Sequence, residues 1–579
     1  MKINEVEKIT GLTKKAIRLY ELRGLITVER GENGYRDYSE RDIKTLERIK
    51  LLRTAGVSIT DIRLLFSEMI TLDDIIEKRK KEIDAESGLN SEMYAFCETL
   101  AERIASGEDK TDGLFTEADD TFESGHGALT VGIDIGTTTI SATVIDLDSR
   151  RQLEVFSVPH SSYVECSVFS EQSVAVIIDK AEGVLELIWK SYKDIVSIGI
   201  TGQMHGILYL NSDGEAVSEL INWQDKRGDI LTDGEKTVCR LIKEKTGENV
   251  ATGYGIATHY YNLLNGLVPQ NAVGFCSIMD YFAMRLCQMK TPVTHTSVAA
   301  SFGLFDIKKS CFMLDKAAIL GIDGAFLPKV TASAEMLGEW RRIPVCVAIG
   351  DNQASFLGSV KNSRDSVLVN IGTGSQISAV GDTEELGEGI ERRPFINGER
   401  LVCGSALCGG SAYALTEKFF RSYASFAGMG DGLQYGSINA LAERAYQSGE
   451  RPLSVDTSFC GMRTDPMRRG SIVGIDMNNF TPSALILGVI NGMCDELYGL
   501  YLSGRLKKSH IVASGGAVRK NSTLRRVLED KFGMSVSVSI VKEEAATGAA
   551  LLSAYAIGRI GYSDGFGDYI KYAEKEDIK

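Results

Sequence analysis

The first 66 residues carry the apolar pattern of several short helices. Apolar residues recur at helical spacing as far as Gly11, and Thr13 is a residue type that caps helices, which predicts a break and a second helix. The pair Asn33 and Gly34 predicts a tight hairpin turn. The helical segments cover residues 3–12, 14–22, 39–55 and 60–66. A small helical unit with one hairpin, residues 1–70, is therefore predicted.

Residues 71–106 continue the helical pattern, and residues 107–128 interrupt it. Apolar residues recur every three or four positions in this second segment, as in a coiled coil: Leu89, Met93, Phe96, Leu100 and Ile104. The pattern predicts a dimerisation helix over residues 71–106, with a helix packed on its own domain as the alternative. Gly, Asp, Glu and Ser dominate residues 107–128, which predicts a solvated acidic linker.

From Leu129 onward, strand and helix patterns alternate, which predicts an α/β architecture. Residues 130–144 and residues 367–380 repeat one order of features: an apolar strand, a Gly-Thr turn and a second strand rich in β-branched residues. Such an internal repeat predicts two related halves, which we place at residues 129–360 and 361–579. Chance similarity of two glycine turns is the alternative.

Composition excludes several classes of protein. The chain has 579 residues, 44% of them hydrophobic and 25% charged, so it can form more than one globular domain and is not largely disordered. Its 11 cysteines are scattered, which favours a reduced, cytoplasmic protein. No apolar run approaches the ~20 residues that span a membrane, so we expect no membrane partner.

The net charge of −14 is unevenly distributed along the chain. Residues 1–65 hold 14 Lys and Arg against 10 Asp and Glu, whereas residues 82–124 hold 2 against 13. A basic N-terminal unit thus precedes an acidic segment. The acidic remainder is expected to suppress nonspecific contact with DNA and to leave binding to the N-terminal unit.

Basic residues in the N-terminal unit predict DNA binding. Lys14, Lys15 and Arg18 lie on the second predicted helix, after a glycine break, in the arrangement of a helix-turn-helix. Tyr35, Arg36 and Tyr38 follow the predicted hairpin turn and would add phosphate contacts from a small wing. A helical bundle with a solvated basic face is the alternative.

The order of residues 1–66 closely resembles the MerR family of winged helix-turn-helix regulators. The matching residues are Arg18, Tyr20, Glu21, Gly24, Leu25, Gly34, Tyr35, Arg36 and Tyr38. The resemblance implies that Tyr20 joins the DNA-binding residues and that double-stranded promoter DNA is the partner. It also implies a homodimer joined by an antiparallel helix pair, here residues 71–106.

Turns rich in glycine and threonine predict a phosphate site in the body of the chain. Asp134 ends an apolar strand, and a carboxylate in that position can hold Mg²⁺ through water. Backbone N–H groups and hydroxyls of the neighbouring turns suit phosphate oxygens. The turn residues are Gly136, Thr137, Thr138 and Thr139 in the first half and Gly372, Thr373 and Gly374 in the second. A later turn at Gly515 and Gly516 would let backbone approach a nucleotide closely.

Polar residues between these turns predict an acceptor site. Asp351 follows a short apolar strand and could accept a proton from an attacking hydroxyl, with a helix cap as the alternative. His205 lies in an apolar strand, where a core histidine is the default interpretation. A polar cluster around one aromatic suits a polyol, although a surface loop would look similar; its members are Asn222, Trp223, Asp225 and Arg227.

Residues 129–560 resemble the FGGY carbohydrate kinases through six motifs in order: GIDIGTTT, GQMHG, NWQDKR, GDNQAS, NIGTGSQ and ASGGAVRKNS. The resemblance implies two actin-like lobes of the RNase H type, with ATP, Mg²⁺ and a sugar between them. It makes Asp351 the catalytic base, and Asp134 and Asp351 the metal residues. It assigns the Gly-Thr turns to the phosphates, and Gly515, Gly516 and Asn521 to the adenosine end. It directs Gln203, Met204, His205, Asp225, Arg227 and Asp351 towards the sugar.

Three functional hypotheses follow. In the first, an ATP-dependent ketose kinase, most similar to sedoheptulokinase-like members of the family, phosphorylates a terminal hydroxyl and is fused to a transcriptional regulator. In the second, the body is a catalytically silent sensor of sugar or nucleotide. In the third, a plain xylulokinase-like kinase is merely dimerised by its N-terminal unit. Intact Asp134 and Asp351 favour the first and third hypotheses over the second.

Overall fold

A computed structural model describes residues 1–30, 35–86 and 127–573, apart from positions 166, 168, 233, 383, 384, 431, 464, 466 and 563. For residues 81–86 and 564 only the backbone is described. The predicted turn at Asn33 and Gly34, the apolar seam from Leu89 to Ile104 and most of the acidic segment lie outside these ranges.

Helices and a two-stranded ribbon form the N-terminal unit, which we call the head (residues 1–86). The helices are α1 (Ile3–Thr10), α2 (Lys14–Leu22), α3 (Glu40–Thr54), α4 (Ile59–Phe66) and α5 (Leu72–Glu86). Strands β1 (Glu29–Arg30) and β2 (Arg36–Asp37) pair antiparallel on either side of the predicted hairpin turn. Thr13 caps α2 by accepting a hydrogen bond from the Ala16 N–H at 3.2 Å, as its residue type predicts.

A seven-stranded mixed sheet organises the N-terminal lobe, in the order β17-β18-β7-β3-β4-β5 with β19 beside β7. Its strands are β3 (Leu129–Ile135), β4 (Thr139–Asp146), β5 (Arg151–Pro159), β7 (Ile195–Gly202), β17 (Met336–Trp340), β18 (Ile343–Cys346) and β19 (Ile349–Gly350). The shorter strands of the lobe are β6 (Glu171–Gln172), β8 (Leu208–Leu210), β9 (Leu220–Ile221), β10 (Leu231–Thr232), β11 (Lys236–Thr237), β12 (Gly274–Cys276), β13 (Val293–His295), β14 (Phe305–Asp306), β15 (Cys311–Phe312) and β16 (Lys329–Thr331).

Helices cover this sheet and carry residues into the cleft. They are α6 (Val174–Ser191), α7 (Val238–Thr246), α8 (Gly255–Leu264), α9 (Ile278–Leu286), α10 (Thr296–Phe302), α11 (Leu314–Ile319) and α12 (Asp351–Ser359). The long apolar strands β3 and β4 are almost wholly buried. Both faces of the sheet are covered at these strands, because apolar, small and hydroxyl residues alike are buried there.

The C-terminal lobe repeats the plan with a six-stranded sheet in the order β22-β23-β21-β20-β26-β27. Its strands are β20 (Ser366–Ile371), β21 (Ser375–Val380), β22 (Ile390–Pro394), β23 (Arg400–Ala406), β26 (His510–Ser514) and β27 (Ser535–Val538), and β24 (Ser454–Asp456) pairs with β25 (Ser471–Val473). Its helices are α13 (Gly410–Phe426), α14 (Tyr435–Gln447), α15 (Pro482–Ser503), α16 (Gly516–Lys520), α17 (Ser522–Phe532), α18 (Glu544–Ala556) and α19 (Asp564–Gly567). Both Gly-Thr turns thus join antiparallel strands, β3 to β4 and β20 to β21.

Helix α15 alone, among the described helices, has the length and hydropathy of a membrane span, and 56% of its apolar window is buried inside the protein.

Helix α18 packs across the lobe boundary that the sequence predicts. Although it lies in the C-terminal half, it contacts β3, β7 and α12 of the N-terminal lobe. Glycines allow this close approach, because a Cβ on Gly358 would lie 1.9 Å from the Glu544 carbonyl oxygen, and one on Gly548 would lie 1.8 Å from that of Ala354. Backbone therefore packs on backbone where the lobes meet.

Candidate functional site

Asp134 and Asp351 stand at the ends of strands in the N-terminal sheet. The parallel register aligns Asp134 with Thr201 of β7, and Thr201 with Ile349 of β19. Asp351 follows two residues after Ile349, at the first position of α12. Because parallel strands end at the same edge of a sheet, both residues lie at one edge, where β3 and β19 are separated by β7, two strand spacings of ~4.8 Å each.

The Asp134 carboxyl group fits a magnesium site. Burial, together with the charges of Asp351 and Glu543, raises the pKa of Asp134 to about 8. Its Oδ1 atom is buried and has no hydrogen-bond partner among the described residues. A bound cation would offset the cost of burying this carboxylate beside other negative charges, and it would give the Oδ1 atom a partner. No group of three His, Cys, Asp or Glu residues with metal-binding geometry occurs in the described part of the chain, so most ligands would be water and phosphate.

Asp351 occupies the first turn of α12, and Gly350 takes the cap position. Its Oδ1 accepts a hydrogen bond from the Asn352 N–H at 2.6 Å. The alternative interpretation of Asp351 as the helix cap is wrong, because Gly350 holds that position and no side chain caps the helix. Burial raises the pKa of Asp351, while Arg393 and the Asn352 N–H oppose that shift.

The first Gly-Thr turn is held by side chains of the same lobe. The Gly136 N–H donates to the Thr139 carbonyl at 3.0 Å and closes the turn. Gln172 Nε2 donates to the Thr137 carbonyl at 2.7 Å. The indole N–H of Trp223 donates to Thr137 Oγ1 at 2.9 Å, and its ring is 46% exposed. Trp223 therefore contacts the turn and is partly open to solvent. Thr138 is exposed.

The second Gly-Thr turn is anchored on the start of α13. The Gly410 N–H donates to the Gly372 carbonyl at 2.8 Å, and the Gly409 N–H donates to the Thr373 carbonyl at 3.0 Å. A Cβ on Gly409 would lie 2.4 Å from Gly374, so the two segments touch through backbone. Gly372 and Thr373 remain exposed.

The late glycine turn lies beside the second Gly-Thr turn, because β26 runs parallel to β20 and ends next to it. Gly515 has a φ of +95°, and a Cβ there would lie 2.4 Å from the Ile371 carbonyl oxygen. Only glycine fits this contact. Gly516 begins α16. Asn521 separates α16 from α17 and caps α17 by accepting a hydrogen bond from the Leu524 N–H at 2.9 Å.

Gln203 and Met204 lie next to the carboxylate edge. The Gln203 N–H donates to the Ile135 carbonyl at 2.9 Å, and its Nε2 donates to Gln172 Oε1 at 3.1 Å. The Met204 sulfur fills the space that a Cβ on Gly350 would enter, at 2.6 Å. Both side chains are buried, so they form the wall behind the carboxylates.

His205 is a neutral, fixed hydrogen-bonding group. Its Nδ1 lies 2.8 Å from the Ser301 carbonyl, which accepts only, so Nδ1 carries the proton and Nε2 is left as an acceptor. The ring stacks on Tyr254 at a centroid distance of 4.5 Å. Burial, with the charge of Arg393, lowers the pKa of His205 to about 4. An acceptor nitrogen suits a sugar hydroxyl.

The C-terminal lobe supplies charged residues that the sequence did not reveal. Arg393 of β22 donates two hydrogen bonds to Glu391 Oε2, at 3.0 and 3.2 Å. Gln353 Nε2 donates to the Pro394 carbonyl at 3.0 Å, which ties β22 to the start of α12 beside Asp351. Residues 390–394 match no sequence motif. They lie near Asp351 only because the folded chain places β22 against the start of α12.

Asp225 and Arg227 form a closed, buried cluster. Asp225 accepts hydrogen bonds from the Ser170 N–H at 3.0 Å and from the Arg227 N–H at 2.9 Å. The Arg227 guanidinium lies 4.0 Å from the centroid of the Phe169 ring and pairs with Glu171. These contacts hold the loop that carries Trp223, although the Arg227 Nε atom is buried without a hydrogen-bond partner among the described residues. In this segment Trp223 is exposed, whereas Asp225 and Arg227 are buried.

In the head, the predicted DNA-binding residues divide into two groups. Lys14, Lys15 and Arg18 are exposed on α2, and Tyr35 is 73% exposed. Arg36 pairs with Glu21 at 2.6 Å. Tyr20 and Tyr38 are 6% and 1% exposed and lie in the core of the head, because their rings pack among its helices. We therefore drop these two rings from the set of proposed DNA contacts.

Comparison with known proteins places this site in a family. A family model described as "FGGY family of carbohydrate kinases, N-terminal domain" matches residues 129–358, and the corresponding "C-terminal domain" model matches residues 371–557. Together they cover well over half of the chain, and the chain belongs to the FGGY family of carbohydrate kinases. A third model, "MerR HTH family regulatory protein", matches residues 1–69. The resemblances seen in the sequence are confirmed.

Individual relatives differ in their acceptors. A sedoheptulokinase of Mus musculus is 26% identical over 471 residues, covering 73% of this chain and 97% of its own. The structure of a gluconate kinase from Lactobacillus acidophilus aligns with a TM-score of 0.67 at 20% identity, covering 77% of this chain and 93% of its own. That of Plasmodium falciparum glycerol kinase with ADP aligns at 0.64 and 17%, with the same coverage. The kinase fold is shared, whereas the acceptor varies.

Proposed function

We propose that this protein transfers the γ-phosphoryl group of ATP to the terminal hydroxyl of a ketose of the sedoheptulose type, and that its head binds double-stranded promoter DNA. The observation that carries the kinase proposal is the pair Asp134 and Asp351 at one sheet edge, bordered by the Gly-Thr turns. The similarity to a sedoheptulokinase supports the choice of acceptor. A neutral His205 with a free acceptor nitrogen suits a polyhydroxylated substrate.

The residues divide the chemistry between them. Asp351 accepts the proton of the attacking hydroxyl while the new P–O bond forms and the bond to the bridging oxygen of ADP breaks. Asp134, with Asp351 nearby, would hold Mg²⁺, which supplies positive charge to the phosphate oxygens when bound. The phosphates would lie at residues 136–139 and 372–374, and the adenosine end near Gly515, Gly516 and Asn521. Closure of the lobes would exclude water.

Sugar binding would use residues of both lobes. Gln203, Met204 and His205 form one wall, and Trp223 offers an apolar ring to the C–H face of a sugar. Asp225 and Arg227 would act by bracing that loop. Arg393 and Glu391 extend the polar surface from the opposite lobe.

The DNA-binding proposal depends on the exposed basic face of α2, which carries Lys14, Lys15 and Arg18. Helix N-terminal residues of this type contact bases and phosphates in the major groove. Tyr35 and Arg36 would contact phosphates from the ribbon. We propose a homodimer in the cytoplasm, because helix-turn-helix proteins read two half-sites.

An ADP-release screen tests the kinase proposal. Purified protein with Mg·ATP is offered sedoheptulose, xylulose, gluconate and glycerol at equal concentrations. Sedoheptulose is expected to give the highest kcat/KM. Release at the background rate with every acceptor would contradict the kinase proposal and favour a silent sensor.

The Asp351→Asn variant tests the base. Turnover should fall by at least about 100-fold, the usual contribution of a general base, while ADP affinity stays within about threefold. Asp213→Asn is the matched control, since that carboxylate is 72% exposed and pairs only at the surface with Lys290, 3.4 Å away. Equal turnover by Asp351→Asn and wild type would remove Asp351 from the chemistry.

A further inference from the structure

The head is attached to the kinase by a buried carboxylate. Glu154 of β5 is 4% exposed and receives four partners from three parts of the chain. Thr60 of α4 donates to its Oε1 at 2.6 Å, and Arg63 of α4 donates to its Oε2 at 3.0 Å. Tyr192, which follows α6, donates to Oε2 at 2.8 Å, and Arg23 after α2 lies 3.6 Å away. One kinase residue thus gathers donors from two helical segments of the head.

The surroundings of Glu154 form an extended contact. The Arg63 side chain is 5% exposed, and its guanidinium lies 5.1 Å from the centroid of the Phe156 ring on β5. At a second point, Lys180 of α6 donates to the Met69 carbonyl at 2.6 Å. The Met69 sulfur lies 2.7 Å from where a Cβ on Gly183 would stand, so glycine makes room for it. Buried apolar residues of head and lobe belong to one continuous cluster.

This contact depends on its charges being paired. The Arg63 guanidinium donates to Glu154 through one nitrogen, while its Nε and Nη1 are buried without a hydrogen-bond partner among the described residues. Removal of Glu154 would therefore leave an uncompensated buried charge. Loss of Glu154 would strand Arg63 in the docked state, whereas in an undocked state both side chains regain water. Substitution of either Glu154 or Arg63 should therefore destabilise the docked state relative to the undocked state.

Strand β5 also connects the contact to the phosphate turn. Its neighbour β4 begins at Thr139, the last residue of the first Gly-Thr turn, and pairs Val144 with Glu154. One hairpin of the sheet therefore joins the proposed nucleotide site to the head. Meanwhile Lys14 and Arg18 remain exposed in the docked state, so docking sets the orientation of the DNA-binding helix without covering it.

We propose that the Glu154 contact holds the head on the N-terminal lobe. Through this contact, binding of a nucleoside phosphate at the proposed nucleotide site changes how the head is held. The proposal rests on the nucleotide site of the proposed function. In a dimer, the orientation of each head on its lobe would set the separation of the two recognition helices, and with it the fit to two half-sites. By linkage, DNA bound to the heads would change nucleotide affinity by the same factor.

Hydrogen exchange of the full-length protein tests the docking. In Glu154→Ala, and independently in Arg63→Met, amides of α4 and β5 should exchange at least about tenfold faster than in wild type. Amides of β20 should be unchanged, which shows that the kinase remains folded. Asp213→Asn should match wild type throughout. Unchanged exchange of α4 in either variant would overturn the docking role of this ion pair.

Exchange with and without Mg·ADP tests the transmission. Wild type should show at least about a threefold change in α4 exchange on ADP binding, and Glu154→Ala should show none although it still binds ADP. Calorimetry establishes ADP binding separately. Absence of ADP binding to wild type would contradict the proposed kinase site itself. If ADP binds to wild type without changing α4 exchange, or changes it equally in Glu154→Ala, the role of Glu154 in communicating nucleotide binding is overturned. The docking role and the kinase site would then stand.

Discussion

The carboxylate of Asp351 adds to burial in raising the pKa of Asp134 to about 8. Asp134 lies near the end of β3, Asp351 directly follows β19 of the same sheet, and Glu543, which precedes α18, contributes a third negative charge. Like charges in a poorly solvated site favour the neutral form of one member. The protein without a bound cation therefore keeps a proton on Asp134 that an unfolded chain would release.

This proton makes stability depend on pH. The unfolded Asp134 ionises near its ordinary pKa of about 4, whereas the folded group retains its proton to about pH 8. The free energy of unfolding contributed by this group should therefore fall as pH rises from 4 to 8 and level off above 8. Urea midpoints at pH 5, 6.5 and 8 should fall less steeply in Asp134→Asn than in wild type.

The pH result has an internal control. Asp213→Asn removes an exposed carboxylate and should leave the wild-type slope unchanged. Added Mg·ADP should flatten the wild-type slope at high pH, since the cation favours the ionised carboxylate. Identical slopes in Asp134→Asn and wild type would contradict the assignment of the raised pKa.

Arg393 is expected to tune the base from the opposite lobe. Its positive charge opposes the rise in the pKa of Asp351 that burial causes. The base acts when deprotonated, so Arg393→Gln should move the acidic limb of the kcat/KM profile to higher pH, with the largest loss of activity at low pH. Arg463→Gln is the matched control, because Arg463 pairs with Glu391 at 3.6 Å and is 46% exposed. A profile of unchanged shape in Arg393→Gln would rule out this electrostatic role.

Two glycines should respond to alanine in opposite directions. At Gly358 a Cβ would collide with the Glu544 carbonyl oxygen at 1.9 Å, so Gly358→Ala should lower the free energy of unfolding by at least about 2 kcal/mol. At Gly499 of α15 no atom lies within 4 Å, and Gly499→Ala should raise it by about 0.5–1 kcal/mol. Thermal unfolding of both variants measures the difference. A neutral Gly358→Ala would show that α12 and α18 separate easily.

Arg18 should affect DNA and not the kinase. A duplex selected from a random pool provides the probe, and Arg18→Ala should lower affinity for it by about 5- to 100-fold, the usual range for a base contact. Kinase kcat/KM should be unchanged. Lys290→Ala removes an exposed cation of the kinase lobe and serves as the control for nonspecific charge. Equal affinity of wild type and Arg18→Ala would refute the proposed docking of α2 in the groove.

The sequence by itself determined the local elements and the family. The Thr13 cap fixed the start of α2, because capping is satisfied within one turn of the chain. The repeated strand, Gly-Thr turn and strand predicted both hairpins that carry the turns, because hairpin pairing depends on neighbouring residues. Motifs around Asp134 and Asp351 identified the family, since their residue types and order are specific.

Only the tertiary structure decided which distant residues share a site. Arg393 is brought to the start of α12 by β22, and Glu154 collects partners that are more than 90 residues earlier in the chain. It also places Tyr20 and Tyr38 in the core of the head and joins Asp225 and Arg227 in one buried cluster, which the sequence did not predict. The physical reason is that burial and charge pairing arise from packing between segments far apart in sequence, whereas caps, turns and motifs are properties of neighbouring residues.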